Sequence, residues 1–268
     1  MPTWLWKLAL GASGTYLALL GLGRLSYRSL LYPAPRTGLS HDPPGGELVE
    51  TDTADGAKVQ FAVYPGLDRL PERVVVFLHG NGETLAESVF LAGELTARGL
   101  GFVAVEYRGY GAAPTEGPHE EGLYADAEAA LRHLHRRGVS SDRITLWGNS
   151  LGTGVAMEMA RRGHAGWLVL QAPFTSIPDV ASRWAPWLPM GWIIGDAYDS
   201  ADKAPAVTLP TLVLHGDADT VVPYDMGVTL SDALPNAELV TVAGGTHTDI
   251  FVLRGQHLLQ RIELHAKT

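Results

Sequence analysis

Ser150 stands in Gly148-Asn149-Ser150-Leu151-Gly152, between the apolar run 144–147 and the helix-forming run 155–160. A strand that turns sharply into a helix, with Ser flanked by glycines, is the G-x-S-x-G nucleophile elbow. The turn strains the Ser backbone, and the glycines leave room for strand and helix to approach closely. The hydroxyl is then held clear of the sheet, above the Leu151 N–H and the positive end of a helix. A Gly-rich strand–helix turn without chemistry has the same local pattern, so the motif gains meaning only from partners.

A serine nucleophile needs a base, and the base needs an orienting acid. After a strand–turn–helix of this kind the chain order is Ser, acid, His. His247 lies in Ala243-Gly244-Gly245-Thr246-His247-Thr248-Asp249, a flexible loop between the last strand and the last helix. A histidine there reaches the carboxyl ends of parallel strands, where such sheets gather their ligands. The loop His215-Gly216-Asp217-Ala218-Asp219 offers two acids. Asp217 can brace the loop and Asp219 projects one step further, and the residues alone do not choose between them. The run 74–78 leads into His79-Gly80-Asn81-Gly82. That turn can aim a backbone N–H at Ser150 and, with the Leu151 N–H, make an oxyanion hole. His79 reads as a brace for this turn rather than as a base.

The elements that must position these groups follow from the pattern. Strands are expected at 47–53, 58–64, 74–78, 101–106, 144–147, 167–171, 211–215 and 238–242. Helices are expected at 84–98, 121–137, 151–162, 225–234 and 249–264. Strands alternating with helices imply a mostly parallel twisted sheet with helices on both faces. The pair Asp55-Gly56 signals an antiparallel hairpin at one edge. The stretch from Pro173 to Pro205 has no clear strand and is too long for an ordinary loop. It reads as a small helical cap, about 175–205, over an acyl pocket. Phe174, Trp184, Trp187 and Trp192 are the pocket residues expected there.

With 268 residues, 46% apolar and 18% charged, the chain has enough apolar content for one large α/β domain. No cysteine is present, which excludes a disulfide framework and thiol catalysis. Residues 1–36 hold four of the 20 basic residues and no acid. The remainder has 16 basic against 29 acidic residues, a balance of −13. So acidic a body argues against a nucleic-acid partner.

The run from Leu8 to Gly23 has no charge and is flanked by Trp4, Trp6 and Lys7 before it and by Arg24, Tyr27 and Arg28 after it. Counted from Trp4 to Arg24 it is close to the roughly 20 residues that span a bilayer. An uncleaved membrane anchor is the preferred reading, ahead of a signal peptide, for which Gly21-Leu22-Gly23-Arg24 is a poor cleavage site, and of a buried core helix; the side of the membrane is open. The expected organisation is thus an anchor at 1–30, a Pro/Gly-rich linker at 31–46 and a catalytic domain at 47–268.

Taken together, these motifs resemble the α/β-hydrolase superfamily. The match is to its membrane-anchored esterase and lysophospholipase-like group, with monoacylglycerol lipase and serine aminopeptidase-like relatives. The matching pieces are His79-Gly80-Asn81-Gly82, Tyr107-Arg108-Gly109-Tyr110-Gly111, Gly148–Gly154, Ala172–Ser176, His215–Pro223 and the His247 loop. They keep the family's order from about residue 47 onward. The resemblance implies Ser150 as nucleophile, His247 as base, Asp219 rather than Asp217 as acid, and backbone N–H groups of Asn81 and Leu151 as the oxyanion hole. It implies no metal and no organic cofactor. Three positions depart from the family: Glu106 where Asp is usual, Ala112-Ala113-Pro114-Thr115 where small Gly/Ser residues are usual, and Asn149 where His is commoner.

The leading expectation is a serine hydrolase of carboxylic esters, with small-molecule or lipid-like acyl substrates, working through an acyl-enzyme. One alternative is aminopeptidase-like amide hydrolysis on the same triad, with Asp196, Asp199 or Asp202 holding the substrate amine. The other is a catalytically silent interaction protein tethered to a membrane.

Overall fold

Residues 3–112 and 117–266 are described by a computed structural model; Ala113, Pro114 and Thr115 of the departing turn lie outside them. In chain order the elements are α1 (Thr3–Leu31), β1 (Glu47–Asp52), β2 (Lys58–Tyr64), β3 (Val74–Leu78), α2 (Leu85–Ser88), α3 (Phe90–Thr96), β4 (Gly101–Glu106), α4 (Glu120–Arg136), β5 (Ile144–Asn149) and α5 (Leu151–Arg161). They continue with β6 (Trp167–Gln171), α6 (Ile177–Trp184), α7 (Met190–Ile193), α8 (Ser200–Lys203), β7 (Thr211–Gly216), α9 (Tyr224–Ala233), β8 (Ala237–Val242) and α10 (Ile250–Ala266).

The sheet has eight strands in the order β1-β2-β4-β3-β5-β6-β7-β8. Strands β1 and β2 form the antiparallel hairpin at one edge, and β2 pairs antiparallel with β4. All later pairings are parallel. The central strands are buried at every position, as their unbroken apolar runs require of a sheet covered on both faces. Side chains alternate between two cores. Val74, Val76 and Leu78 join Leu131, Val155 and Leu230 of α4, α5 and α9 on one face. Val75 and Phe77 join Leu91, Leu95 and Leu258 of α3 and α10 on the other. This is the doubly covered parallel sheet expected from the pattern. The helix expected at 84–98 comes as two pieces. The Leu85 N–H is held at 3.2 Å by the buried Glu106 carboxylate, which directs α2, while α3 carries Leu91 and Leu95 onto the sheet.

The chain leaves β4 and crosses β3 to reach β5, so the strand order reverses between β3 and β5. Ligand sites of open α/β sheets lie at the carboxyl ends of strands beside such a reversal. Here those ends carry the Gly80–Gly82 turn and Ser150.

The insertion between β6 and β7 is helical, as expected of a cap. Ser176 starts α6, its Oγ accepting the Asp179 N–H at 3.1 Å. Beneath the cap, Glu158 of α5 is buried and accepts from Arg161 at 2.7 Å and Arg162 at 2.8 Å, with the Lys203 ammonium 3.4 Å away. Burial works to raise its pKa, but those hydrogen bonds and the lysine charge bring it from 4.5 down to about 2. A depressed folded-state pKa contributes stability above the unfolded value and loses it as pH falls through the folded one. Glu158→Gln is therefore expected to cost about 2 kcal/mol at neutral pH, roughly 4–8 °C in Tm. Melting curves should show that deficit shrinking as pH falls from 4.5 toward 2. A deficit constant over that range would contradict the assignment.

The expectation of a transmembrane anchor is corrected here. Among the described residues no helix is long and apolar enough to cross a membrane. The uncharged run was not uniformly apolar: Gly11, Ser13, Gly14, Thr15 and Tyr16 dilute it. Helix α1 instead runs on past Arg24 and Arg28, and its second half docks on the cap. Arg24 donates to the Trp192 and Ile193 carbonyls at 3.2 and 3.3 Å. Arg28 makes a forked pair with Asp196 at 2.9 and 3.1 Å. Just beyond the helix, the Tyr32 hydroxyl donates to the Asp196 carboxylate at 3.2 Å and meets the Tyr198 hydroxyl at 2.9 Å. The segment assigned to an anchor thus forms part of the wall around Ser150.

Candidate active site

The elbow is built as its residue types demand. Ser150 has φ +49° and ψ −115°, a conformation rare for a residue with a side chain. Its N–H is held by the Gln171 carbonyl at 2.9 Å. A Cβ at Gly152 would lie 1.9 Å from the Leu78 carbonyl oxygen, and one at Gly148 would lie 2.5 Å from the Gly152 oxygen. Strand β3, strand β5 and helix α5 come this close only because both positions are glycine.

The three residues expected to work together meet. His247 Nε2 is 3.0 Å from Ser150 Oγ, and His247 Nδ1 is 2.7 Å from Asp219 Oδ2. The other Asp219 oxygen accepts the Val221 and Val222 N–H groups at 2.8 and 2.9 Å. Burial tends to raise the Asp219 pKa. Hydrogen bonds from His215, His247 and the Val222 N–H outweigh it and hold the carboxyl well below the usual carboxylate range. An ionised Asp219 keeps the proton on His247 Nδ1, so Nε2 faces Ser150 as an acceptor. The alternative acid, Asp217, is exposed, and its Oδ1 accepts the Gly244 N–H at 2.7 Å. It braces the loop that carries His247 and stays out of the contact set. His215 lies beneath Asp219, its Nε2 at 3.0 Å from the Val222 carbonyl.

The turn after β3 approaches Ser150 from the other side. His79 is fully buried and its Nδ1 meets the Gly80 carbonyl at 2.9 Å, the bracing contact expected of it. Tyr110 donates to Asn81 Oδ1 at 2.8 Å, and Asn81 Nδ2 donates to the Leu31 carbonyl at the end of α1. The position of Asn81 is thus fixed by its side chain. Leu151 is the first residue of α5, where N–H groups have no intrahelical acceptor. Asn149, one of the departures, donates to Glu83 at 2.9 and 3.1 Å and ties the elbow to the Gly80 turn.

Ser150, Leu151, Asn81 and His247 open on a cavity of about 660 Å³. Phe174 and Trp187 line it. Trp184 and Trp192, also expected there, lie outside the lining; all three rings are exposed, and Trp187 only borders the cavity. Composition marks an aromatic insertion but not which ring borders the cavity. The pattern of uncharged residues likewise hid the opposite wall, which is Leu19, Gly23, Tyr27, Leu30 and Leu31 of α1. Their spacing is a helical stripe, the one signal that could have identified them as a packed face. Among the described residues no carboxylate lines the cavity: Asp196 pairs with Arg28, and Asp199 caps α8 by accepting the Asp202 N–H at 3.0 Å. Among the described residues no cluster of His, Asp and Glu is arranged to hold a metal ion.

Comparison with known proteins fits this architecture. A family model described as serine aminopeptidase, S33, matches residues 69–201, and one described as TAP-like protein matches residues 189–257. Uncharacterized protein Rv2307c of Mycobacterium tuberculosis is 34% identical over 258 residues, covering 95% of this chain and 90% of that protein. Alpha/beta hydrolase domain-containing protein 17C of Xenopus tropicalis is 33% identical over 184 residues, 66% of this chain and 56% of its own length. The esterase Pf2001 of Pyrococcus furiosus superposes with a TM-score of 0.72 at 17% identity, covering 87% of this chain and 98% of that one. With its sheet order, its elbow and these relatives, the chain belongs to the α/β-hydrolase superfamily.

Proposed function

We propose that the protein is a serine hydrolase that cleaves carboxylic esters with an apolar, lipid-like acyl group. The contact chain Asp219–His247–Ser150 at the mouth of an apolar cavity carries the reading. Ser150 Oγ attacks the ester carbonyl while His247 Nε2 takes its proton. Asp219 keeps the imidazole oriented and stabilises its charged form. Backbone N–H groups of Asn81 and Leu151 receive the oxyanion, a contribution worth roughly 10²–10³ in turnover per donor. His247 returns the proton to the departing alcohol, leaving the acyl group on Ser150. Water then repeats the sequence and frees the acid. In this reading residues 19–31 belong to the catalytic unit that otherwise begins near residue 47.

Amide hydrolysis is the second reading, favoured by the family model described as serine aminopeptidase. Of the carboxylates expected to hold a substrate amine, Asp196 and Asp199 are committed elsewhere and Asp202 does not line the cavity, which supports the ester. A panel of p-nitrophenyl esters from acetate to palmitate, run beside aminoacyl p-nitroanilides, separates the two. Burial gains about 0.8 kcal/mol per methylene, so the six methylenes added from acetate to octanoate are expected to raise kcat/KM by about 10³. A flat profile, or faster turnover of the aminoacyl amides, would overturn the proposal.

A further inference from the structure

A second cavity, of about 430 Å³, opens on the same Ser150 and His247 but is built differently. Its walls include Glu83, Phe90, Trp147, Asn149, Gln171 and Phe251. The polar members form a directed chain. Gln171 Nε2 donates to Asn149 Oδ1 at 3.1 Å. Asn149 Nδ2 donates to the Glu83 carboxylate, which also accepts the Gly80 N–H at 2.7 Å. This direction uses the Gln171 amide as a donor and leaves its carbonyl oxygen over. That oxygen is buried without a partner, and Gln171 is 7% exposed. Trp147 is 1% exposed, and its indole N–H is also buried without a partner.

Unpaired buried polar atoms are destabilising, and folded proteins keep few of them. Here an acceptor and a donor are both left over in side chains that wall one cavity, next to the nucleophile. A hydroxyl or an amide satisfies both, since each donates and accepts, and in an ester substrate the alcohol portion is what brings the hydroxyl. A cationic head would be drawn by Glu83 but could not accept from the indole N–H. The outer wall is apolar: Phe90 is 61% exposed and meets Phe251 edge to face at 5.5 Å. Hydroxyls in the depth and aromatic rings at the mouth suit a ring with polar edges and C–H faces. The volume lies within the range of about 300–1,000 Å³ typical of small-ligand sites.

We infer that this second cavity receives the alcohol portion of the ester, and that the alcohol is a polyol of the size of a hexose. Its hydroxyls are held by the Gln171 carbonyl oxygen, the Trp147 indole N–H and Glu83, and its ring rests on Phe90 and Phe251. The assignment rests on the ester-hydrolase reading, with the acyl chain in the apolar cavity and the alcohol on the opposite side of Ser150.

Two measurements on the full chain test it. The first follows the Trp147 indole N–H resonance by NMR while methyl glucoside is added. A saturable shift at millimolar sugar, absent with choline, is expected, and no shift, or a shift with choline instead, overturns the inference. The second compares octanoyl glucose with methyl octanoate, which share an acyl-enzyme. The ratio of their kcat/KM values is expected to be about tenfold in favour of the sugar ester, the worth of about one hydrogen bond, and to collapse toward one in Gln171→Met. A ratio near one in the wild type overturns the inference while leaving the hydrolase intact. Sugar binding without turnover of either ester would overturn the hydrolase reading and leave the polyol site standing.

Discussion

Replacing Ser150 by Ala is expected to lower kcat/KM for p-nitrophenyl octanoate by roughly 10⁵, within the range seen when a triad nucleophile is removed. The change deletes one oxygen from the 3.0 Å contact with His247 and leaves the elbow otherwise intact. Alanine keeps a Cβ at the same strained φ, and the N–H still reaches the Gln171 carbonyl. Melting temperature should therefore stay within about 2 °C of the parent, as for changes that make no cavity and orphan no buried group. Activity lost with the fold unchanged isolates the nucleophile. Turnover at the parent rate would mean that another group attacks the ester.

Asp219→Asn is the second large effect, expected at roughly 10⁴ in kcat by analogy with the same change in other Ser–His–Asp sites. Its cause is visible in the contacts. The Val221 and Val222 N–H groups both point at Oδ1, so an asparagine at 219 settles with its carbonyl oxygen there. Its NH₂ then faces His247 Nδ1 in place of Oδ2. A donor at that position makes Nδ1 the acceptor and moves the imidazole proton to Nε2, where it can no longer take the Ser150 proton. KM for the octanoyl ester should change little, because Asp219 lies outside the acyl cavity. Asp217→Asn is the matching control. Asp217 accepts only the Gly244 N–H within the His247 loop, so its loss is expected to cost less than about tenfold. Equal losses at the two positions would contradict the division of roles.

Much of this was legible in the sequence because it is local. The Asp55-Gly56 hairpin, the buried apolar runs of β3 to β7 and the Gly-Asn-Ser-Leu-Gly turn each follow from neighbouring residues. The chain order Ser150, Asp219, His247 placed the site at one end of the sheet. Residue spacing alone left Asp217 and Asp219 open. The difference lies in the turn itself, where Asp219 points inward to His247 and Asp217 outward to Gly244.

What could not be read depends on contacts between distant parts of the chain. Arg28 and Asp196 are 168 residues apart, and their pairing helps to hold α1 as a wall of the apolar cavity. A scan for charge-free length registers such a helix as a membrane span, because packing against a cap and packing against lipid both favour uncharged residues. Trp184 and Trp187 differ by three positions and both are exposed, yet only Trp187, beyond the end of α6, borders the cavity. The link from Gln171 through Asn149 to Glu83 joins three separate segments. The unusual Asn149 was noticeable in the sequence, but its two partners were not.

The central claim is that Ser150 is an activated nucleophile. Its most direct test is reaction of the full chain with a fluorophosphonate probe, followed by intact mass and peptide mapping. One adduct per chain is expected, on Ser150, lost in Ser150→Ala and slowed strongly in His247→Ala. A folded protein that takes up no probe, or takes it up on another residue, would contradict it.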